Sequence, residues 1–188
     1  DFEPGATYEH RPGRTINEAD NTWFTLLTMN QHPIHFDAEY ARHSEFGRPL
    51  VVSTLTLSLL VGMSVSDVSQ KAIANLGWDR IRLPKPVFVG DTLYAESTVL
   101  DKRESKSRPD QGIVSIRTLG RNQRDEVVCE FERTMLVMKR GNDLEARAAR
   151  RFAKRAGARR RDGAPRARDE RCREREREAG PRVGALGR

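Results

Sequence analysis

The sequence predicts an α+β domain in which one long, buried helix is wrapped by an antiparallel sheet, with a basic tail at the C-terminus. Two patterns carry that prediction. The uncharged run Leu50 to Ser66 places Leu50, Val51, Leu55, Leu57, Leu59, Leu60, Val61 and Met63 on every face of a helix, and a helix that is apolar nearly all round must be surrounded. After it, Ala72 to Leu83, Thr92 to Glu104, Gly112 to Asn122 and Glu126 to Lys139 alternate with a period of two, as in Val127, Cys129, Phe131, Arg133, Met135, Val137, which is the strand period. The turn-prone stretches Ser107 to Gly112 and Arg121 to Asp125 separate the last three segments, implying an antiparallel meander. One helix followed by long antiparallel strands is an α+β layer arrangement. No internal repeat is present, so one such unit per chain is expected.

Ahead of the long helix, Glu18 to Met29 is amphipathic and reads as a first helix. Proline disfavours helix at the residue before it, so Pro33 should break that pattern near His32. Asp37, followed by Ala-Glu-Tyr-Ala, reads as the N-cap of a short helix, where its carboxylate accepts backbone N–H groups.

The charge is unevenly divided. The formal net charge is +7, yet Asp1 to Asn142 holds 18 basic against 19 acidic side chains, while Asp143 to Arg188 holds 16 against 8. We therefore expect a domain over residues 1–142 and a tail over 143–188. The tail's large apolar residues are Leu144, Phe152, Val183 and Leu186, too few to bury a core, so it should be disordered or at most a frayed helix. Its mixed run from Arg171 to Glu178 carries too many acids for a clean phosphate-binding stripe, so nucleic acid is not an expected partner. Cys129 and Cys172 form neither a metal spacing nor a disulfide framework, which fits a reducing compartment. With no secretory leader pattern and a longest apolar run short of the roughly 20 residues of a membrane span, the expected location is the cytoplasm, away from membranes.

Chemistry concentrates in Thr28-Met29-Asn30-Gln31-His32-Pro33-Ile34-His35-Phe36-Asp37. A lone histidine beside an apolar residue is most often a packing residue. Two imidazoles and an amide around a proline are a stronger signal, because histidine both takes and gives a proton near neutrality.

Read in order, Arg14 to Asp20, the Pro33-Ile34-His35-Phe36-Asp37 core, Glu39-Tyr40-Ala41, Phe46-Gly47-Arg48-Pro49-Leu50 and Pro84-Lys85-Pro86-Val87-Phe88-Val89-Gly90-Asp91-Thr92-Leu93 resemble the MaoC-like acyl-CoA dehydratases, or R-specific enoyl-CoA hydratases. The resemblance runs from Phe2 to Lys139 and implies a single hotdog domain acting on a CoA thioester. The family motif Asp-x-Asn-Pro-x-His meets this chain at His35, with Asn30 in the aspartate position and His32 in place of the asparagine. In the family, that histidine and aspartate hold and activate the water that adds to the β-carbon of the thioester. Asn30 can orient water but cannot act as a general base. Three routes stay open: His35 transfers the proton, alone or with His32; another carboxylate, with Asp37 and Asp20 nearest in sequence, replaces the missing acid; or the chain binds thioesters without hydrating them. Where many members have His-Gly at the start of the long helix, this chain has Val52-Ser53, and the Ser53 N–H could still polarise the thioester carbonyl.

The resemblance further implies a homodimer or dimer-based oligomer, with CoA phosphates near Arg48, Arg80, Arg82 and Lys85. The altered motif is similar to the branch handling small branched or dicarboxylic acyl-CoAs such as mesaconyl-CoA. The expected activity is a hydro-lyase, with a hotdog thioesterase and a non-catalytic acyl-CoA-binding protein as alternatives. No P-loop, dinucleotide glycine motif or zinc cluster is present, so neither a metal nor any cofactor beyond the CoA thioester substrate is implied.

Overall fold

A computed structural model describes residues 2–162. Residues up to Asp143 make one compact unit. Strand β1 (Thr7–Thr15) is followed by helix α1 (Glu18–Thr28), a 3-10 turn (Pro33–His35), the short helix α2 (Ala38–Arg42), the long helix α3 (Ser53–Met63) and a π turn (Val65–Ser69). Strands β2 (Ala72–Arg82), β3 (Thr92–Glu104), β4 (Gln111–Arg121) and β5 (Val127–Met138) complete an antiparallel sheet of order β1-β3-β4-β5-β2. The alternating segments thus become strands, with β3, β4 and β5 as the expected meander. Strand β1 is an addition. Pro12 and Gly13 argue against a strand in sequence terms, but at a sheet edge, beside a register shift between His10 and Arg14, the missing N–H costs no ladder bond.

The long helix begins at Ser53, the start the resemblance implies, because Leu50 pairs with Phe88 and the Val51 N–H donates to Val87 O at 2.9 Å, which holds both residues extended. Leu55, Thr56 and Leu60 are buried, while Thr54, Ser58 and Gly62, each four residues apart, are exposed in the single chain.

The buried core joins Leu55 and Leu60 of α3 to Leu93, Val128, Cys129 and Phe131 of the sheet, with Ile16, Val51 and Val52 closing the end near α1. A second cluster, Val68, Val99, Val114, Ile116 and Met135, lies under the π turn. Each such side chain contributes about 1.5–3 kcal/mol on leaving water. Helix and sheet approach most closely at Gly120, where an added Cβ would stand 2.3 Å from Leu60 Cδ1. Burial pushes the Cys129 thiol up to about 11, so it is an inert core residue.

Buried polar groups fix the far end of α3. His10 Nδ1 meets Asp67 Oδ2 at 2.7 Å and His10 Nε2 meets Ser97 Oγ at 2.8 Å, tying the π turn to β1 and β3. Arg133, inward-facing as its alternation predicts, donates to Ser64 Oγ at 3.1 Å beside the last turn of α3, where a cation complements the helix dipole.

Helix α4 (Leu144–Asp162) belongs to a second unit. Its Leu144 and Phe152 are exposed. The rest of the tail, including the Arg171 to Glu178 run, Cys172, Val183 and Leu186, lies outside the described residues. No helix among the described residues is long and apolar enough to cross a membrane.

Candidate active site

The site is built outward from α1. A capping box starts the helix: the Asp20 N–H donates to Asn17 Oδ1 and the Asn17 N–H to Asp20 Oδ2, each at 2.9 Å. Arg14 Nη2 also donates to Asp20 Oδ1 at 2.7 Å, so this carboxylate is committed. The helix is amphipathic as expected but inverted. Asn21 and Thr25 are buried, whereas Trp23, Leu26, Leu27 and Met29 are 64–80% exposed. Met29, in the left-handed region at φ 57°, ends the helix.

Short side-chain to backbone bonds then shape the turn. Asn30 Oδ1 accepts the His32 N–H at 3.1 Å, and His32 Nδ1 accepts the Ile34 N–H at 3.2 Å, capping the 3-10 turn that Pro33 opens. His35 closes that turn, half-buried, with Nδ1 donating to Leu50 O at 3.0 Å. These partners decide the tautomers. An N–H aimed at His32 Nδ1 leaves the proton of neutral His32 on Nε2, while a carbonyl aimed at His35 Nδ1 puts the proton there and leaves Nε2 as a bare acceptor. The two rings lie 5.9 Å apart in an edge-on arrangement, with Tyr40 6.2 Å from His32.

Asn21 carries no motif, and sequence reasoning passed over it. Its amide, 2% exposed, joins the helix to both sides of the site: Nδ2 donates to His35 O at 2.8 Å and to Leu50 O at 2.9 Å, and Oδ1 accepts the Val52 N–H at 2.9 Å. The only hint in the sequence was a poor helix former placed mid-helix. Val52 caps α3 without a side-chain bond, and the exposed Ser53 has no hydrogen-bond partner for its N–H among the described residues. An open donor at a helix N-terminus, with the dipole's positive end behind it, is suited to a developing oxyanion.

The segment opposite Leu50, between β2 and β3, is held by Asp91, 4% exposed, which accepts the Phe88 N–H at 3.0 Å, Gln123 Nε2 at 2.7 Å and Arg124 Nη1 at 3.3 Å. Burial opposes the charge on Asp91, yet Gln123, the Phe88 N–H and Arg124 hold its carboxyl below the ordinary range.

Of the sequence candidates, the structure brings together Asn30, His32 and His35 in one turn, with Ser53 linked to them through Leu50 and Asn21. Asp37 caps α2, accepting the Tyr40 N–H at 2.9 Å. With Asp20 in the capping box and bound by Arg14, each of the two nearest carboxylates has a structural partner. Arg48 stacks on the Phe88 ring, 3.7 Å from its centroid. Arg80 is tied to Glu132 at 2.6 Å. Arg82, at the end of β2, and Lys85 are exposed.

A family model, MaoC like domain, matches residues 1–120. The mesaconyl-CoA hydratase of Cereibacter sphaeroides is 36% identical over 148 residues, covering 79% of this chain and 43% of that protein, so the chain spans less than half the relative's length. A putative MaoC domain dehydratase from Chloroflexus aurantiacus superposes with a TM-score of 0.70 at 36% identity, over 74% of this chain and 40% of that one. A Mycobacterium tuberculosis protein with a double hotdog fold gives a TM-score of 0.69 at 22% identity, over 76% and 44% of the two chains, and shares the fold.

Proposed function

The chain belongs to the MaoC-like domain family, and from that premise we propose that it catalyses the reversible hydration of a 2-enoyl-CoA, equivalently the dehydration of a 3-hydroxyacyl-CoA. The observation that carries this reading is the His35 imidazole, fixed through Nδ1 to the carbonyl of Leu50, three positions before Ser53 at the open N-terminus of α3, with Nε2 bare. In the hydration direction, His35 Nε2 takes a proton from water as the water oxygen bonds to the β-carbon. The electrons of the carbon–carbon double bond move through the α-carbon into the thioester carbonyl, and the resulting enolate oxygen is met by the Ser53 N–H. The imidazolium then returns its proton to the α-carbon. Asn30, with Oδ1 committed to His32, orients the water through Nδ2. His32, whose neutral form carries its proton on Nε2, assists as a donor.

The name of the Cereibacter relative supports a small branched or dicarboxylic acyl group such as that of mesaconyl-CoA. Only the CoA thioester is required, with no metal or redox cofactor. Arg48, Arg82 and Lys85 are the cations we assign to the CoA phosphates. Arg80 is the weaker candidate because Glu132 holds it. We further infer a homodimer through β2. It is an edge strand, and Ile73, Leu76, Trp78, Ile81 and Leu83 on and just after it are exposed in the single chain, a combination that pairing with a second edge would cover.

The test is to incubate the protein with a panel of enoyl-CoAs and 3-hydroxyacyl-CoAs while following the conjugated thioester and free CoA. Loss of conjugation without CoA release is the expected result. CoA release identifies a thioesterase, and binding without either change identifies an acyl-CoA-binding protein.

A further inference from the structure

We propose that Asn21 is a positioning residue for the reaction, setting both the tautomer of His35 and the separation between His35 and the α3 N-terminus; this rests on the reading of His35 as the acid/base group. The side chain is buried, and its hydrogen-bonding groups face complementary backbone partners. Two carbonyls require the NH2 end and one N–H requires the oxygen, so the amide has a single orientation. What distinguishes it from an ordinary buried amide is the identity of those partners. One carbonyl is His35's own. The second, Leu50 O, is the acceptor that holds His35 Nδ1 at 3.0 Å. The N–H belongs to Val52, the N-cap of α3 and the neighbour of Ser53.

One planar group of fixed dimensions therefore spans the proton-transfer residue and the proposed oxyanion donor. Alignment of these groups is what catalysis depends on, since misplacement by an ångström costs about 100-fold. Aspartate is the informative replacement. Asn21→Asp keeps an oxygen for the Val52 N–H but turns a second oxygen toward two carbonyls, repelling both. Asn21→Leu removes all three bonds at similar volume.

The experiment combines kinetics with long-range proton–nitrogen NMR of His35, whose signals are assigned by their loss in His35→Ala. The wild type should show His35 with its proton on Nδ1. Asn21→Asp and Asn21→Leu should lower kcat by about 10- to 100-fold, as loss of an orienting partner does, with KM changed far less. The acidic limb of the kcat–pH profile should move, and His35 should become a mixture of tautomers. Reduced kcat with an unmoved pH profile and tautomer would mean a merely structural role and overturn the proposal. So would wild-type kinetics in either variant. A wild-type spectrum with His35 protonated mainly on Nε2 overturns it even if neither variant folds. If the wild type turns over no CoA thioester, the proposed function fails, while the NMR comparison still decides the role of Asn21.

Discussion

The contact between Gly120 and Leu60 makes a quantitative prediction about how closely α3 rides on the sheet. In Gly120→Ala, the new methyl would lie 2.3 Å from Leu60 Cδ1, 2.7 Å from Cδ2 and 3.1 Å from Cγ. Leu60 is 0% exposed, so its branch cannot swing into solvent. Overpacking of this kind costs about 1–3 kcal/mol, offset by about 0.4–1 kcal/mol from the stiffer unfolded chain, leaving a net loss of up to about 2.6 kcal/mol. At about 2–4 °C per kcal/mol for a domain near this size, Tm should fall by up to roughly 10 °C. Leu60→Ala alone should cost about 2–5 kcal/mol, by transfer and cavity terms. In the double variant the alanine methyl at 120 enters space that Leu60 vacates, so the combined loss should be smaller than the sum by about 0.5–3 kcal/mol. Urea denaturation of the four proteins, followed by far-UV circular dichroism, measures the cycle. A Gly120→Ala protein at least as stable as wild type, or strict additivity, would refute the packing argument.

Three further outcomes follow from the site. His35→Ala should lower turnover by about 100-fold or more with an unchanged far-UV spectrum; an active variant removes His35 from the mechanism. Asn30→Asp adds a negative charge near two imidazoles, favours their protonated forms and should shift the pH optimum upward. A pH–rate profile identical to wild type would place Asn30 outside the site. The carboxyl of Asp91 lies below its ordinary value when folded, so its contribution to stability is present above the unfolded pKa of about 3.9 and is lost as pH falls through the lower folded value. The stability gap between wild type and Asp91→Asn should therefore be constant near neutrality and close as pH drops below about 4; a gap that widens in acid contradicts the assigned network.

The strands were legible because each of β3, β4 and β5 carries one buried face, and period-two burial leaves period-two sequence. Helix α3 was legible as a helix, but its exposed line of Thr54, Ser58 and Gly62 was not, because these residues are interleaved with many leucines and valines. Strand β1 was hidden by Pro12 and Gly13, residues that an edge tolerates and that sequence rules penalise. In the candidate site, the turn that Pro33 opens and the cap role of Asp37 could be read from local chain chemistry. Asn21 could not, because its partners lie 14, 29 and 31 positions away and are backbone atoms.

The carbonyl of Leu50 receives two donors, His35 Nδ1 and Asn21 Nδ2, and an sp2 oxygen has two lone pairs to give. Both are taken, so water has no vacant lone pair through which to compete for the histidine's tether. The anchor of the imidazole is thus a main-chain atom that survives any exchange of the side chain at position 50. An alanine scan would trim the leucine, leave that oxygen untouched, and pass over the contact that orients the histidine.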